Sequence, residues 1–323
     1  MIRIFLKKKT KDEIEEILLK DQKNSETGIF KQIENNSELL KETAPNLYNF
    51  LYNETAKKVN EEHIKKLLWA NREELEGYIR QFGIIKSQKE SDILLKKFFR
   101  YDTYSKRQTV VEILRKMNVT VCPYCNRQYI FTLEDGAVRP QLDHYYPKSK
   151  YPYLALSLYN MVPSCSICNM AKSSLNTIEY PILYPFEEPK KYDFKFEMQL
   201  KKDADFVKVI QGISEDISIK LNVGNDASPV KNQVEKLHLN ELYNEHTDYV
   251  KDILKSRYIN SDSRIDDLYR SFPQLFASVD EVRSLLYMTN MDESQWGRRP
   301  LSKLTHDIDE QLRKGKIVYE TQP

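Results

Sequence analysis

All four cysteines of the chain fall into two C-x-x-C pairs, Cys122-Pro-Tyr-Cys125 and Cys165-Ser-Ile-Cys168. The two sulfurs of each pair can converge on one ion, and together they supply the four thiolates of a closed tetrahedral zinc site. The stretch between the pairs, residues 126–164, is longer than the roughly 15 to 20 residues of a simple double-knuckle finger. A zinc ion would therefore close a loop with room for further structure. Two other readings compete: disulfides, which a reducing cytoplasm disfavours, and a redox C-x-x-C, which would leave the second pair unexplained. A four-thiolate zinc keeps no open position for water, so it would brace a fold and leave the chemistry to other residues.

The rest of the composition narrows the function classes. The 323 residues suffice for two or three domains, and 50 Lys+Arg against 48 Asp+Glu leave a net charge of +2. No global basic field marks a nucleic-acid partner, so any such signal must be local. Only eight glycines occur, none in a GxxxxGK[ST] or GxGxxG setting, which argues against a nucleotide-binding loop and against an intrinsic ATPase. No apolar run approaches the roughly 20 residues of a membrane span. The start, Met1-Ile2-Arg3-Ile4-Phe5-Leu6, runs into Lys7-Lys8-Lys9, too short an apolar segment for a signal peptide. A cytoplasmic protein is expected.

Residues 1–118 read as a helical N-terminal region. Thr10-x-x-Glu13 has the form of a capping box before Ile14, Ile17 and Leu18. Pro45 suits a first helical turn, and Asn60-Glu61-Glu62 can open another helix. Residues 119–185 change to short strands, turns and one short helix, with Tyr151 to Tyr159 read as a connection plus second strand. Pro181, Pro185 and Pro189 punctuate an extended connection. Residues 186–233 are β-rich: Asp193–Met198, Phe206–Ile210 and Ile217–Leu221 alternate with period two and suggest a small antiparallel sheet. Residues 234–323 form a helical C-terminal region.

Inside the cysteine loop lies Arg139-Pro-Gln-Leu-Asp143-His144-Tyr-Tyr-Pro147-Lys148. Between Gly136 and Ile178, Asp143 is the only acid and His144 the only histidine, surrounded by Arg139, Lys148, Lys150 and Lys172. This local basic field suits a phosphodiester held against a divalent cation. Neighbours on a regular strand face opposite ways, so Asp143 and His144 share a site only where the strand ends or kinks. Taken alone, the pair also reads as a solvated turn with a structural histidine.

Asn160 and the segment Cys165-Ser-Ile-Cys168-Asn169-Met-Ala-Lys172 supply the context. The order C-x-x-C, Asp-His, Asn, C-x-x-C-Asn-x-x-Lys resembles the HNH nucleases, whose ββα-metal fold is often braced by a four-cysteine zinc. The resemblance implies an α+β protein with a central zinc-braced ββα-metal core between helical flanks. It makes His144 the general base, Asp143 and Asn169 the ligands of a catalytic divalent ion, and Asn160 a support that holds His144 in orientation. Lys172 would reach a phosphate oxygen, with Arg139 and Lys148 as further phosphate contacts. The third motif position is often histidine. The harder amide oxygen of Asn169 points to Mg²⁺ or Mn²⁺ at the catalytic site, with Zn²⁺ confined to the cysteines.

The wording Leu142-Asp143-His144-Tyr-Tyr-Pro147-Lys148-Ser149 and the helical flanks are similar to the HNH components of Septu and retron-linked anti-phage systems. That narrower resemblance implies a DNA endonuclease working with a separate ABC/SMC-type ATPase. RNA, including tRNA, is the competing substrate, and a non-catalytic zinc-bearing nucleic-acid-binding or scaffold module is the competing class. Trp296-Gly-Arg298-Arg299-Pro300 reads as a surface turn, and His63, His238, His246 and His306 as surface residues.

Overall fold

A computed structural model describes residues 2–187, 194–225 and 227–320; Met1, Pro189 and Asp193 lie outside the described residues. The fold is α+β, about half helical, with small sheets. No described helix is long and apolar enough to cross a membrane. The chain divides into two compact units. One holds Ile4–Val119 with Ile130–Phe186, the other Met1–Arg3 with Thr120–Tyr129 and Glu187–Pro323.

The first unit opens with helices α1 (Lys8–Asn24), α2 (Ile29–Asn35), α3 (Ser37–Thr43) and α4 (Pro45–Leu51). Helix α1 begins before Thr10 and has no side-chain cap. The Thr10/Glu13 box therefore lies inside the helix, because Lys8-Lys9 already adopt helical backbone. Pro45 does occupy the first turn of α4. A short antiparallel pair, β1 (Tyr52–Asn53) and β2 (Lys58–Val59), leads to α5 (Glu61–Trp69), which Asn60 caps by accepting from His63 N. Then follow α6 (Arg72–Phe82), capped by a reciprocal Asn71/Glu74 box, and α7 (Gln88–Ile93). A π-helical turn, Leu94–Phe98, continues α7, and Arg100 in the left-handed region (φ 43°) redirects the chain into α8 (Tyr101–Tyr104). Helix α9 (Gln108–Met117) buries Val110, Val111, Ile113, Leu114 and Met117 and ends on Asn118 at φ 50°. The unit is completed by the antiparallel hairpin β3 (Gln141–His144) and β4 (Met161–Ser164), followed at once by helix α10 (Ser166–Lys172). The second hairpin strand thus starts after Asn160. Tyr151–Tyr159 forms mainly turns, with 3-10 segments at Pro152–Leu154 and Leu158–Asn160, because Pro152 and the carbonyl-to-amide turn Ala155 N to Pro152 O favour a tight coil.

In the second unit β5 (Phe194–Leu200) lies between β6 (Ile217–Val223), antiparallel to it, and β7 (Val318–Tyr319), parallel to it. The sheet is thus mixed, its third strand arriving from the C-terminal end. Phe206–Ile210, expected as a strand, is helical: α11 (Phe206–Gln211) is capped by Asp205, which accepts from Val207 N and Lys208 N, and closed by Gly212 at φ 77°. Cap and left-handed glycine outweigh the period-two alternation. Helices α12 (Ser228–Lys236), α13 (Leu239–Asn244), α14 (Thr247–Ile259), α15 (Asp262–Ser271), α16 (Val279–Leu286) and α17 (Ser302–Arg313) complete the unit. Side chains cover the strand amides left open along β5 beyond its two-residue pairing with β7 and along the outer side of β6. Asp307 and Gln311 of α17 accept from Phe196 N and Met198 N, while Asn240 and Asn244 of α13 accept from Leu221 N and Ile219 N. Satisfying these amides removes a template for strand addition. Trp296 is buried and its carbonyl accepts from Asn126 Nδ2, so its ring is packing material inside the unit.

Candidate active site and cysteine cluster

The ligand atoms of Cys122, Cys125, Cys165 and Cys168 all lie within 4.8 Å of one another, and all four residues are buried. Backbone amides point at two of the sulfurs: Arg127 N donates to Cys125 Sγ and Cys168 N to Cys165 Sγ, each at 3.4 Å. Amide donors stabilise thiolate charge. A buried set of four convergent sulfurs with such donors fits a structural zinc ion.

On the hairpin, Asp143 pairs with Val162 and His144 with Met161. His144 is the last residue of β3, and both residues line one cleft of about 510 Å³ with Pro147, Lys148, Asn169 and Ser173. The strand end lets consecutive residues share one hollow. His144 is 7% exposed, and its Nε2 lies 3.0 Å from the Ala155 carbonyl oxygen. A carbonyl only accepts, so Nε2 carries the hydrogen and Nδ1 holds the lone pair of the neutral ring. Burial pushes the imidazole pKa down to about 3; the Ala155 bond opposes this, and Lys148 and Lys172 add to it. The ring is therefore neutral at physiological pH.

Lys172, at the end of α10, is fully enclosed. Its Nζ lies 3.1 Å from each oxygen of Asp143 and 2.6 Å from the His144 carbonyl oxygen. Burial lowers its pKa and the Asp143 carboxylate opposes the shift. Lys172, expected to reach a phosphate oxygen, has its ammonium engaged by the strand carrying Asp143. Asn160, with no exposed surface, accepts from Tyr146 N at 2.8 Å and donates to the Tyr146 and Leu154 carbonyls at 3.1 Å. It ties together the loop after His144, while the imidazole itself is held by Ala155. Asn169 donates its amide nitrogen to Gln141 Oε1 at 2.7 Å, so the ligand it offers to the cleft is its carbonyl oxygen.

Arg139 does not line the cleft; its guanidinium bonds the Ser105 carbonyl. Lys148 does, with Nζ 4.0 Å above the Tyr101 ring and 3.8 Å from Asp102. Tyr101 and Ala155 are the parts that sequence reasoning missed. Any residue offers a carbonyl, and nothing local distinguishes Tyr101 among 21 tyrosines. The remaining histidines have structural settings. His63 stacks on Phe50 and bonds its carbonyl, His238 begins α13 at φ 50°, His246 meets Arg127, and His306 packs near Trp296.

No protein-family model matches the chain, and no solved structure matches it. Over 72 residues, 22% of its length, the chain is 31% identical to the Septu protein PtuB of Bacillus thuringiensis, a likeness that spans 26% of that protein.

Proposed function

We propose that the chain is a metal-dependent HNH-type endonuclease that hydrolyses phosphodiester bonds in DNA, and that it acts in anti-phage defence beside a separate ATPase. The observation that carries this reading is a neutral histidine with a defined tautomer sharing one cleft with a carboxylate, an amide oxygen and a lysine. The likeness to a Septu protein supports the biological setting, and the absence of phosphate-binding glycine loops in the sequence supports a partner for any ATP-dependent control.

His144 Nδ1 takes the proton from the attacking water; the Ala155 carbonyl fixes the hydrogen on Nε2, and burial keeps the ring neutral, so that Nδ1 is free to accept in the resting state. Asp143 and Asn169 offer two hard oxygens to a divalent ion, a donor set that fits Mg²⁺ or Mn²⁺. Such an ion, when bound, neutralises the scissile phosphate and the charge growing on the leaving oxygen. Lys172 fixes the Asp143 carboxylate from behind, and Lys148 offers a cation to a substrate phosphate at the cleft wall.

Wild type and His144→Ala, incubated with plasmid, single-stranded DNA and tRNA in Mg²⁺ or Mn²⁺, with and without the co-expressed ATPase, test the reading. Cleavage of DNA by wild type alone is expected. Equal cleavage by both proteins removes His144 from the mechanism, preferential tRNA cleavage replaces the substrate, and no cleavage in any arm favours a binding module.

A further inference from the structure

The rings of Tyr101 and His144 form a T-shaped pair, with centroids 4.5 Å apart and planes 71° apart. The Lys148 ammonium lies 4.0 Å from the centroid of the same ring. One aromatic side chain, 8% exposed, thus touches both the histidine and the cation of the cleft. Its own position is set by several restraints. The π-turn closes through Phe99 N to Leu94 O, and the buried Phe98 and Phe99 anchor it. Arg100 then adopts a left-handed conformation that a long side chain rarely takes. Arg139, just before β3, ties the following turn down through the Ser105 carbonyl, and Tyr101 OH comes within 3.4 Å of the Leu142 carbonyl of β3. A π-turn and a left-handed non-glycine residue in succession are costly local geometry, of the kind kept where a side chain must be aimed.

We propose that Tyr101 is a positioning residue. Its ring packs in a T-shaped pair with the His144 imidazole that bonds the Ala155 carbonyl, and its face holds Lys148 in the cleft lining. The edge of an aromatic ring is its positive rim and the face its negative side. An edge-to-face pair is therefore favourable between the two rings, and the Tyr101 face favours the ammonium. The phenol oxygen contributes little, being at the limit of a hydrogen bond. The inference rests on the reading of His144 as the base, and it assigns to α8, far from the motif in sequence, the orientation of that base.

Nitrogen-15 NMR of the histidine rings, with the His144 signals identified by their loss in His144→Ala, tests it beside steady-state cleavage. Wild type is expected to show His144 as the Nε2–H tautomer. Tyr101→Phe should keep that signature together with kcat and KM. Tyr101→Leu should give mixed or exchange-broadened tautomer signals, lower kcat by roughly 10- to 100-fold through misplacement of the base, and raise KM through the loosened Lys148. If the leucine variant does not fold, Tyr101→Met, which fills space without a ring, takes its place. A ring-deleted variant whose His144 signals match wild type overturns the proposal whatever its rate, as does a Tyr101→Phe variant that loses the signature. A wild type that cleaves nothing sinks the nuclease reading, while the ring signals still decide the positioning role.

Discussion

The two units each carry a buried lysine–aspartate pair with a histidine beside the aspartate, and only one of these looks like a site for chemistry. On α17, Lys303 Nζ lies 2.9 Å from Asp307 Oδ2, and His306 Nδ1 lies 3.3 Å from Asp307 Oδ1. On the hairpin, Lys172 grips Asp143 next to His144. The residue types are the same, but the geometry differs. Consecutive residues on a helix point about 100° apart. Accordingly Asp307 borders a hollow of about 390 Å³ that neither His306 nor Lys303 lines. Its Oδ2 is also engaged by Phe196 N, and His306 packs near Trp296. At the end of β3, Asp143 and His144 both line one cleft, and the histidine's Nε2 is tied to a backbone carbonyl. A buried ion pair is thus weak evidence of function by itself; the shared opening carries the distinction.

The sharpest way to break this contrast is to remove each histidine. His144→Ala should lower cleavage by on the order of 10²- to 10⁴-fold, the usual contribution of a general base. His306→Ala should leave it within about twofold. A rate that falls equally in both variants would dissolve the comparison. Next, each lysine is the buried cation beside its aspartate, so Lys172→Met and Lys303→Met should each destabilise the fold by about 1.5–3 kcal/mol in urea titrations, because each removes a charge-assisted hydrogen bond from a buried carboxylate. Only Lys172→Met should also weaken Mn²⁺ binding measured by titration calorimetry.

Each cluster also hangs on a knuckle. Cys165 caps α10, which bears Lys172, and Asn126, next to Cys125, holds Leu301 N and Lys303 N at the start of α17. One zinc per chain is expected by elemental analysis. Stripping it should lower the melting temperature and raise hydrogen exchange in both helices; unchanged exchange in α17 would confine the brace to the hairpin. The smallest effect concerns pH. Glu310 of α17 is held down at about 2 by hydrogen bonds from Lys195 and Lys314. A depressed carboxylate stabilises the fold above its unfolded value of 4.5, and that contribution fades as pH falls from 4.5 toward 2. Glu310→Gln should flatten this limb of the acid-denaturation curve and leave cleavage unchanged.

Much of the local structure was legible along the chain because its causes are local. Asn60 opens α5, Pro45 starts α4 and Asn118 ends α9, each through its own backbone preference. Phe206–Ile210 was misread because period-two alternation over five residues is weaker than an aspartate cap and a closing glycine. β7 was missed because a two-residue strand has no periodicity of its own and exists only through pairing with β5.

By itself the sequence determined the ingredients: four cysteines in convergent pairs, one acid and one histidine in a basic stretch, and an asparagine and a lysine spaced along one helix. Spacing within a knuckle or along a helix constrains which atoms meet, so these readings needed no tertiary knowledge. Only the tertiary structure decided what each ingredient touches. It enclosed Lys172 against Asp143, turned Arg139 toward Ser105 and left Asn160 bracing a loop. It brought the Ala155 carbonyl and the Tyr101 ring to His144. Those contacts depend on burial and on backbone groups that every residue shares, and neither leaves a mark on the identity of a single position.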